Sequence, residues 1–396
     1  MGAAKSKGPG AGPPPPPPAA REAADAGPEG LGGRRANRVM VTRDGRHLSF
    51  AEAGDPAGFP VLCFFGVGSS RYLVLLFDDA ARRLGLRVIA CDRPGFGRSS
   101  PAAGGGFAAF ARDVEALCAT LRLRRVALWG HSVGCAYAAA CALHEPLRRR
   151  RLAARLALVS PWVPLDSPGV PLHFRAARFF PHSLAALAAP GAVDEQRRRL
   201  RGGGGAADEA LSAPAAALAA LGLAGAARGE LHLCGAPAED DEDEADAAVS
   251  REELSARELR ALEDMPLARR ARRGARLTLV APRTLILLFA QVLLASVIEA
   301  QRQGPRGFRD EFALCCGAFG FAYADVRWPA RLYHGSADSL VAGESARWLR
   351  GELRRGLGDA AAVELVEERG GTHNGMVFAS LRRSLQAIAR DVAAAG

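Results

Sequence analysis

The run Gly130-His131-Ser132-Val133-Gly134 constrains this chain more than any other segment. It follows a short apolar strand, Val126 to Trp129, and opens a small-residue helix, Val133 to Leu143. A G-x-S-x-G between strand and helix calls for a turn so tight that both neighbours of the serine must be small. Glycine therefore stands at 130 and 134. Such a turn pushes a serine hydroxyl out at the carboxyl end of a parallel strand, with a helix N-terminus beneath it. Ser132 is thereby the candidate nucleophile. The competing reading, a plain turn serine, makes no use of the flanking strand and helix.

A serine so placed needs a base and a carboxylate. On this kind of turn they follow in the chain order serine, acid, histidine. Of the eight histidines, six follow Ser132, at positions 144, 173, 182, 232, 334 and 373. His373 lies in Glu368-Arg369-Gly370-Gly371-Thr372-His373-Asn374-Gly375, a loop after the apolar strand Ala361 to Val366 and before the last helix. A histidine in such a loop is free to reach across a sheet edge. His334 ends a strand, Arg331 to His334, and reads as structural. The adjoining Gly335-Ser336-Ala337-Asp338 puts a carboxylate in the next loop, where Asp338 can accept the imidazole N–H and set its tautomer. The bland reading of Asp338 is an Asx-turn or helix cap. Asp166, after Ser160-Pro161-Trp162, is the reserve acid.

Several further segments carry a resemblance. Phe64-Phe65-Gly66-Val67-Gly68-Ser69-Ser70-Arg71 is similar to an oxyanion loop after a third strand. Asp92-Arg93-Pro94-Gly95-Phe96-Gly97-Arg98-Ser99 is similar to the D-x-P-G-x-G-x-S loop after a fourth. Gly335 to Val341 is similar to an acid loop. With the serine turn, these resemble the α/β-hydrolase superfamily from about Val39 to the C-terminus, low-complexity insertions apart. The resemblance implies an α/β-hydrolase fold, a doubly wound, mostly parallel eight-stranded sheet with a helical cap insertion. It implies Ser132, Asp338 and His373 as catalytic residues, with the backbone N–H groups of Val67 and Val133 as the oxyanion hole. Two positions depart from the family pattern. Phe65 stands where many members carry histidine, which alters the polarity expected around the hole. Ala342 stands where proline is common.

The chemistry implied is that of a capped, esterase- or lipase-like serine hydrolase. It cleaves a carboxylic ester with an apolar acyl group through an acyl-enzyme, and no metal or organic cofactor is needed. The same three residues also serve peptide, thioester or carbon–carbon cleavage and acyl transfer. A hydrolase-fold protein that only binds is the remaining alternative. A serine at 132 argues against alkyl-ester chemistry, which needs a carboxylate there.

The strand–helix alternation independently reads as a doubly wound α/β domain. Val39 to Thr42 and His47 to Ala51 flank an Asp44-Gly45 hairpin turn. Val61 to Phe65 and Arg87 to Cys91 read as strands, Tyr72 to Leu84 and Phe107 to Leu121 as helices. The chain divides into a Pro/Gly/Ala-rich tail (1–36), a first core half (37–163), a helical cap (164–325) and a second core half (326–396). The cap contains Gly202 to Gly205, the acidic run Glu239 to Glu244, and the apolar stretch Thr284 to Ile298. That stretch is too short to span a bilayer, which takes about 20 residues. It reads first as a buried cap helix lining an acyl pocket, and second as a lid that dips into lipid. The acidic run reads as a solvated loop, with pairing to Arg269 to Arg273 as a further reading. Glu299 to Asp310 resembles a return segment from cap to core and receives no chemical role.

The formal net charge of +10 comes almost entirely from arginine in a chain heavy in Ala and Gly, and points to no nucleic-acid partner. Arg148 to Arg151, Arg197 to Arg201 and Arg269 to Arg273 read first as solvated faces and loops, and second as attractors of anionic membranes or acidic substrates. Eight cysteines without metal spacing read as small buried thiols in a reducing compartment. No secretory h-region is visible at the N-terminus, so the expectation is cytoplasmic and not secreted. Met1-Gly2-Ala3-Ala4-Lys5-Ser6 fits an N-myristoylation pattern at Gly2, which with Lys5 and Lys7 suggests peripheral membrane contact. Pro13 to Pro18 form a short polyproline segment, read mainly as a spacer and only weakly as an SH3- or WW-type ligand. A small-molecule or lipid ester is the expected partner.

Overall fold

The computed structural model describes residues 34–102, 105–177, 292–293, 295–359 and 362–395. The Gly2 pattern, the proline run, Gly202 to Gly205, the acidic run, the arginine clusters at 197–201 and 269–273, and the start of the 284–298 stretch lie outside the described residues.

Eight strands form one sheet: β1 Arg38–Val41, β2 His47–Gly54, β3 Phe59–Phe64, β4 Leu86–Cys91, β5 Ala127–His131, β6 Leu156–Val159, β7 Ala330–Gly335 and β8 Val363–Glu368. Their order is β1-β2-β4-β3-β5-β6-β7-β8. β2 runs antiparallel to both of its neighbours, and every other pairing is parallel. The β1–β2 hairpin closes as its Asp-Gly turn predicts, with Gly45 N–H donating to the Thr42 carbonyl. All residues of β5 and β6 are buried, as expected of strands covered on both faces.

Helices cover the two faces. On one, α2 Phe107–Thr120, α3 Gly134–Leu143 and the helix Gly343–Leu357 enclose Phe64, Leu128, Leu158 and Leu332. On the other, a 3-10 segment Arg71–Phe77, α1 Asp78–Arg83 and the C-terminal helices cover Cys63, Trp129, Val159 and Tyr333. Further helices among the described residues are α4 Glu145–Arg150, α5 Leu172–Ala177 and α6 Arg306–Cys316. After them come α7, which is Gly343–Leu357, α8 Met376–Ala379 and α9 Leu381–Ala394. Trp129 Nε1 donates to Ser384 Oγ at 3.0 Å, tying α9 to the central strand.

Two helices differ from expectation. The segment read as one helix from Tyr72 to Leu84 begins as 3-10 and becomes α only at Asp78. Arg71, at its start, is held down through both its backbone N–H and its side chain by Asp92. Asp78 and Asp79 then favour an α-helical first turn, where carboxylates meet free N–H groups. The last helix, expected directly after the His373 loop, is split into α8 and α9 at Ser380. Its hydroxyl donates back to the Met376 carbonyl at 2.6 Å, a local bond that competes with the helix ladder.

At the end of the 284–298 stretch and just past it, residues 292–293 and 295–300 are helical, and Val292 and Leu293 are buried against the α9 face of the sheet. Ser296 Oγ accepts from Ser70 N–H at 2.9 Å. No described helix is long and apolar enough to cross a membrane. The seven described cysteines are free and buried.

Candidate active site

Parallel strands deliver their following loops to one sheet edge. His131 pairs with Val159, Val159 with Tyr333, and Gly335 with Glu368. The loops after β5, β7 and β8 therefore share the carboxyl edge, and these loops carry Ser132, Asp338 and His373.

Ser132 has φ 55, a left-handed backbone that non-glycine residues rarely adopt. The turn is pinned on several sides. Ser132 N–H donates to the Val159 carbonyl at 3.0 Å, and the Ser132 carbonyl accepts from Cys135 N–H at 3.0 Å and Trp162 N–H at 3.1 Å. The glycines are there for space. A Cβ at Gly134 would overlap the Phe64 carbonyl, and one at Gly130 would lie 2.7 Å from the Gly134 carbonyl oxygen. The N–H of Val133 belongs to the opening turn of α3, where backbone donors lack intrahelical partners.

Ser132 Oγ lies 2.9 Å from His373 Nε2. His373 Nδ1 lies 2.9 Å from Asp338 Oδ2 and 3.1 Å from Oδ1. With its proton on Nδ1, His373 donates to Asp338 and its Nε2 accepts from the serine hydroxyl. Asp338 Oδ1 also accepts the N–H groups of Leu340 at 3.0 Å and Val341 at 2.9 Å. Burial pushes the Asp338 carboxyl up, but the His373 hydrogen bond and charge and the Val341 N–H outweigh it. The carboxyl is held below its ordinary value. All three side chains are buried. The reserve acid, Asp166, is exposed, and the carboxylate on the His373 ring is that of Asp338. This arrangement can hold an imidazole in one tautomer beside a hydroxyl, which is what proton abstraction from a serine requires.

His334 is buried at the end of β7, where burial lowers its pKa. Phe65 buries its ring in a cluster with Phe77 (5.4 Å) and Trp129 (5.6 Å). Where the family resemblance led to the expectation of histidine, this chain thus places a core aromatic. Gly66, the next residue, lies against the serine: a Cβ there would be 3.2 Å from Ser132 Cβ and 3.2 Å from His131 Nδ1.

Several residues here went unassigned in the sequence. His131, inside the serine turn, donates from Nε2 to the His373 carbonyl at 3.1 Å. Burial, then the neighbouring His373, lowers its pKa to about 3, so it stays neutral. A histidine beside a nucleophile carries no sequence mark of that bond. Arg71 and Arg93, buried behind the oxyanion loop, face Asp92, Glu299 and Glu311. Their acidic partners past residue 291 could be paired with them only through the fold.

A family model described as alpha/beta hydrolase fold matches residues 60–203. Among solved structures, the chain is similar to an alpha/beta hydrolase fold protein from Nakamurella multipartita. The identity is 19%, over 89% of this chain and 99% of that one, with a TM-score of 0.52. It is also similar to an esterase from Exiguobacterium antarcticum, at 14% identity over 90% of this chain and 98% of that one, with a TM-score of 0.50. Comparison with curated proteins found no match. At such identities the likeness speaks for the fold, and it agrees with the strand order, the glycine-flanked serine turn and the matched segment. By these observations the chain has the α/β-hydrolase fold, with residues 60–203 matching that family's model.

Proposed function

We propose that the protein is a serine hydrolase that cleaves a carboxylic ester with an apolar acyl group. Ser132 attacks the acyl carbonyl as His373 Nε2 takes its proton. His373 then passes that proton to the departing alcohol, leaving an acyl-enzyme. Water, deprotonated by His373, releases the acid. Asp338 keeps the imidazole in the competent tautomer and stabilises its cation. The N–H groups of Val67 and Val133 receive the oxyanion, and losing one such donor costs about 3 kcal/mol of barrier. Residues 164–325, inserted between β6 and β7, are proposed as the cap that lines the acyl side of the site.

The observation that carries this reading is the 2.9 Å contact of Ser132 Oγ with a histidine whose other ring nitrogen sits on a carboxylate. The fold relative from Exiguobacterium antarcticum is itself an esterase.

The test is labelling of the purified protein by a fluorophosphonate probe, wild type beside Ser132→Ala. Labelling of wild type that vanishes in Ser132→Ala is expected, followed by turnover of p-nitrophenyl esters with apolar acyl chains. A folded wild type that takes no label would defeat the proposal.

A further inference from the structure

The segment from Glu299 to Asp310 received no chemical role from the sequence, yet α6, which begins within it, packs directly on the oxyanion loop. Gly307, in the first turn of α6, is in backbone contact with Gly95, leaving no room for a Cβ. A Cβ built on Gly68 would lie 3.3 Å from the Phe308 ring. One turn further on, Glu311 is buried and pairs with Arg93, meeting its Nε and, at 3.0 Å, its Nη2.

Arg93 in turn grips the loop between β3 and the 3-10 segment. Its Nη1 donates to the Phe65 carbonyl at 3.1 Å, and its Nη2 donates to the carbonyls of Gly66 at 2.9 Å and Ser69 at 3.2 Å. The guanidinium is 3% exposed and stacks over Phe96, 4.9 Å from the ring centre. The Gly66 carbonyl and the Val67 N–H are two ends of one planar trans peptide unit, and the described chain has no cis bond. Pinning the carbonyl therefore fixes the direction of the N–H. Gly66 itself lies against Ser132.

We infer that Arg93, held by Glu311 of α6, is a positioning residue that aims the Val67 N–H at the oxyanion. The return segment after residue 291 thereby sets the reactivity of Ser132 without touching substrate. The inference rests on the serine-hydrolase reading above. Arginine suits the task because one rigid fork can serve three carbonyls and a carboxylate together, whereas a lysine ammonium is a point donor. Glu311 balances the buried cation, and its second oxygen keeps the fork from rotating off the loop.

The experiment compares wild type, Glu311→Gln, Glu311→Asp and Arg93→Lys. Asp113→Asn, which breaks a pair with Arg46 elsewhere in the molecule, serves as a control for lost stability. Three quantities are read on folded protein: the rate of fluorophosphonate labelling, kcat and KM for a p-nitrophenyl ester, and inhibition by an apolar trifluoromethyl ketone. The ketone adds to Ser132 and places its oxyanion in the same hole. Glu311→Gln is expected to lower labelling rate and kcat by about 10-fold to 100-fold and weaken the ketone by a similar factor. KM should stay within about 3-fold. Glu311→Asp should recover part of the loss, Arg93→Lys should fall at least as far as Glu311→Gln, and Asp113→Asn should label at the wild-type rate. Folded Glu311→Gln that labels and binds the ketone like wild type overturns the inference while leaving Ser132 as the nucleophile. An unlabelled wild type overturns the serine reading and this inference with it. Should Arg93→Lys not fold, the glutamate variants decide.

Discussion

Ser132, the proposed nucleophile, stands on a costly backbone. A left-handed conformation at a non-glycine residue costs about 1–2 kcal/mol, and φ is 55 here. Replacing the serine by glycine removes that cost, whereas alanine retains it. Ser132→Gly is therefore expected to unfold in urea with a stability about 1 kcal/mol above that of Ser132→Ala. Equal stabilities would mean that the turn is unstrained at this residue. At Asp338 the issue is the proton of His373. An asparagine amide turned toward Nδ1 favours the wrong tautomer, so Asp338→Asn is expected to lower ester turnover by about 10⁴-fold with folding retained. Near-full turnover in that variant would move the role to another carboxylate, Asp166 first. Ser132, Asp338 and His373 were legible because a motif and its chain order mark them. His131 was not, since its bond to the His373 carbonyl exists only after the β5 and β8 loops meet.

Elements are held to one another by buried charge. Arg71 begins the 3-10 segment, Asp92 follows β4, and Glu299 lies in the last turn of the helical run before α6. The Arg71 and Asp92 side chains are fully buried and that of Glu299 is 5% exposed. Asp92 also accepts from Arg71 N–H at 2.7 Å and from the Ser49 hydroxyl at 2.7 Å. Removing one charge from such a set leaves another buried without its partner, which costs about 3–5 kcal/mol. Asp92→Asn is expected to lose stability of that order in urea unfolding. Arg82→Ala, which breaks the solvent-facing pair with Asp78, should cost no more than about 0.5 kcal/mol. A small effect at Asp92 would show that the network is not what holds these elements together. Strands were the most legible elements, because an apolar run such as Val61 to Phe64 is its own signature. The 3-10 segment was not, because residues distant in sequence hold its first turn.

Across the whole molecule, burial of histidines couples folding to pH. His131 is held at about 3 against an ordinary value of 6.5 by burial and by His373. Burial also lowers His334. Below 6.5 the unfolded chain takes up protons that the folded His131 refuses, so stability falls as pH drops from about 6.5 toward 3 and is fully present above that range. The thermal midpoint is expected to decline between pH 6.5 and pH 4. His131→Gln, which keeps a donor for the His373 carbonyl and has no proton to refuse, should make that decline shallower. An identical slope in wild type and variant would remove His131 from the account. Family resemblance led to the expectation of eight mostly parallel strands, and their order came only from the fold. Alternation of strands and helices establishes a doubly wound sheet without saying which strand lies beside which.

The sequence by itself determined the local chemistry: the glycine-flanked serine turn, the hairpin at Asp44-Gly45, the apolar strands and the loops that carry an acid and a histidine. These follow from short-range sterics and periodicity, which act between residues a few positions apart. The tertiary structure decided which of these groups meet. Ser132 and His373 are 241 positions apart, and Arg93 and Glu311 are 218 apart. No local rule selects such partners. They come together because parallel strands carry their loops to one edge of the sheet, and because a buried charge is tolerated only where the fold supplies its opposite.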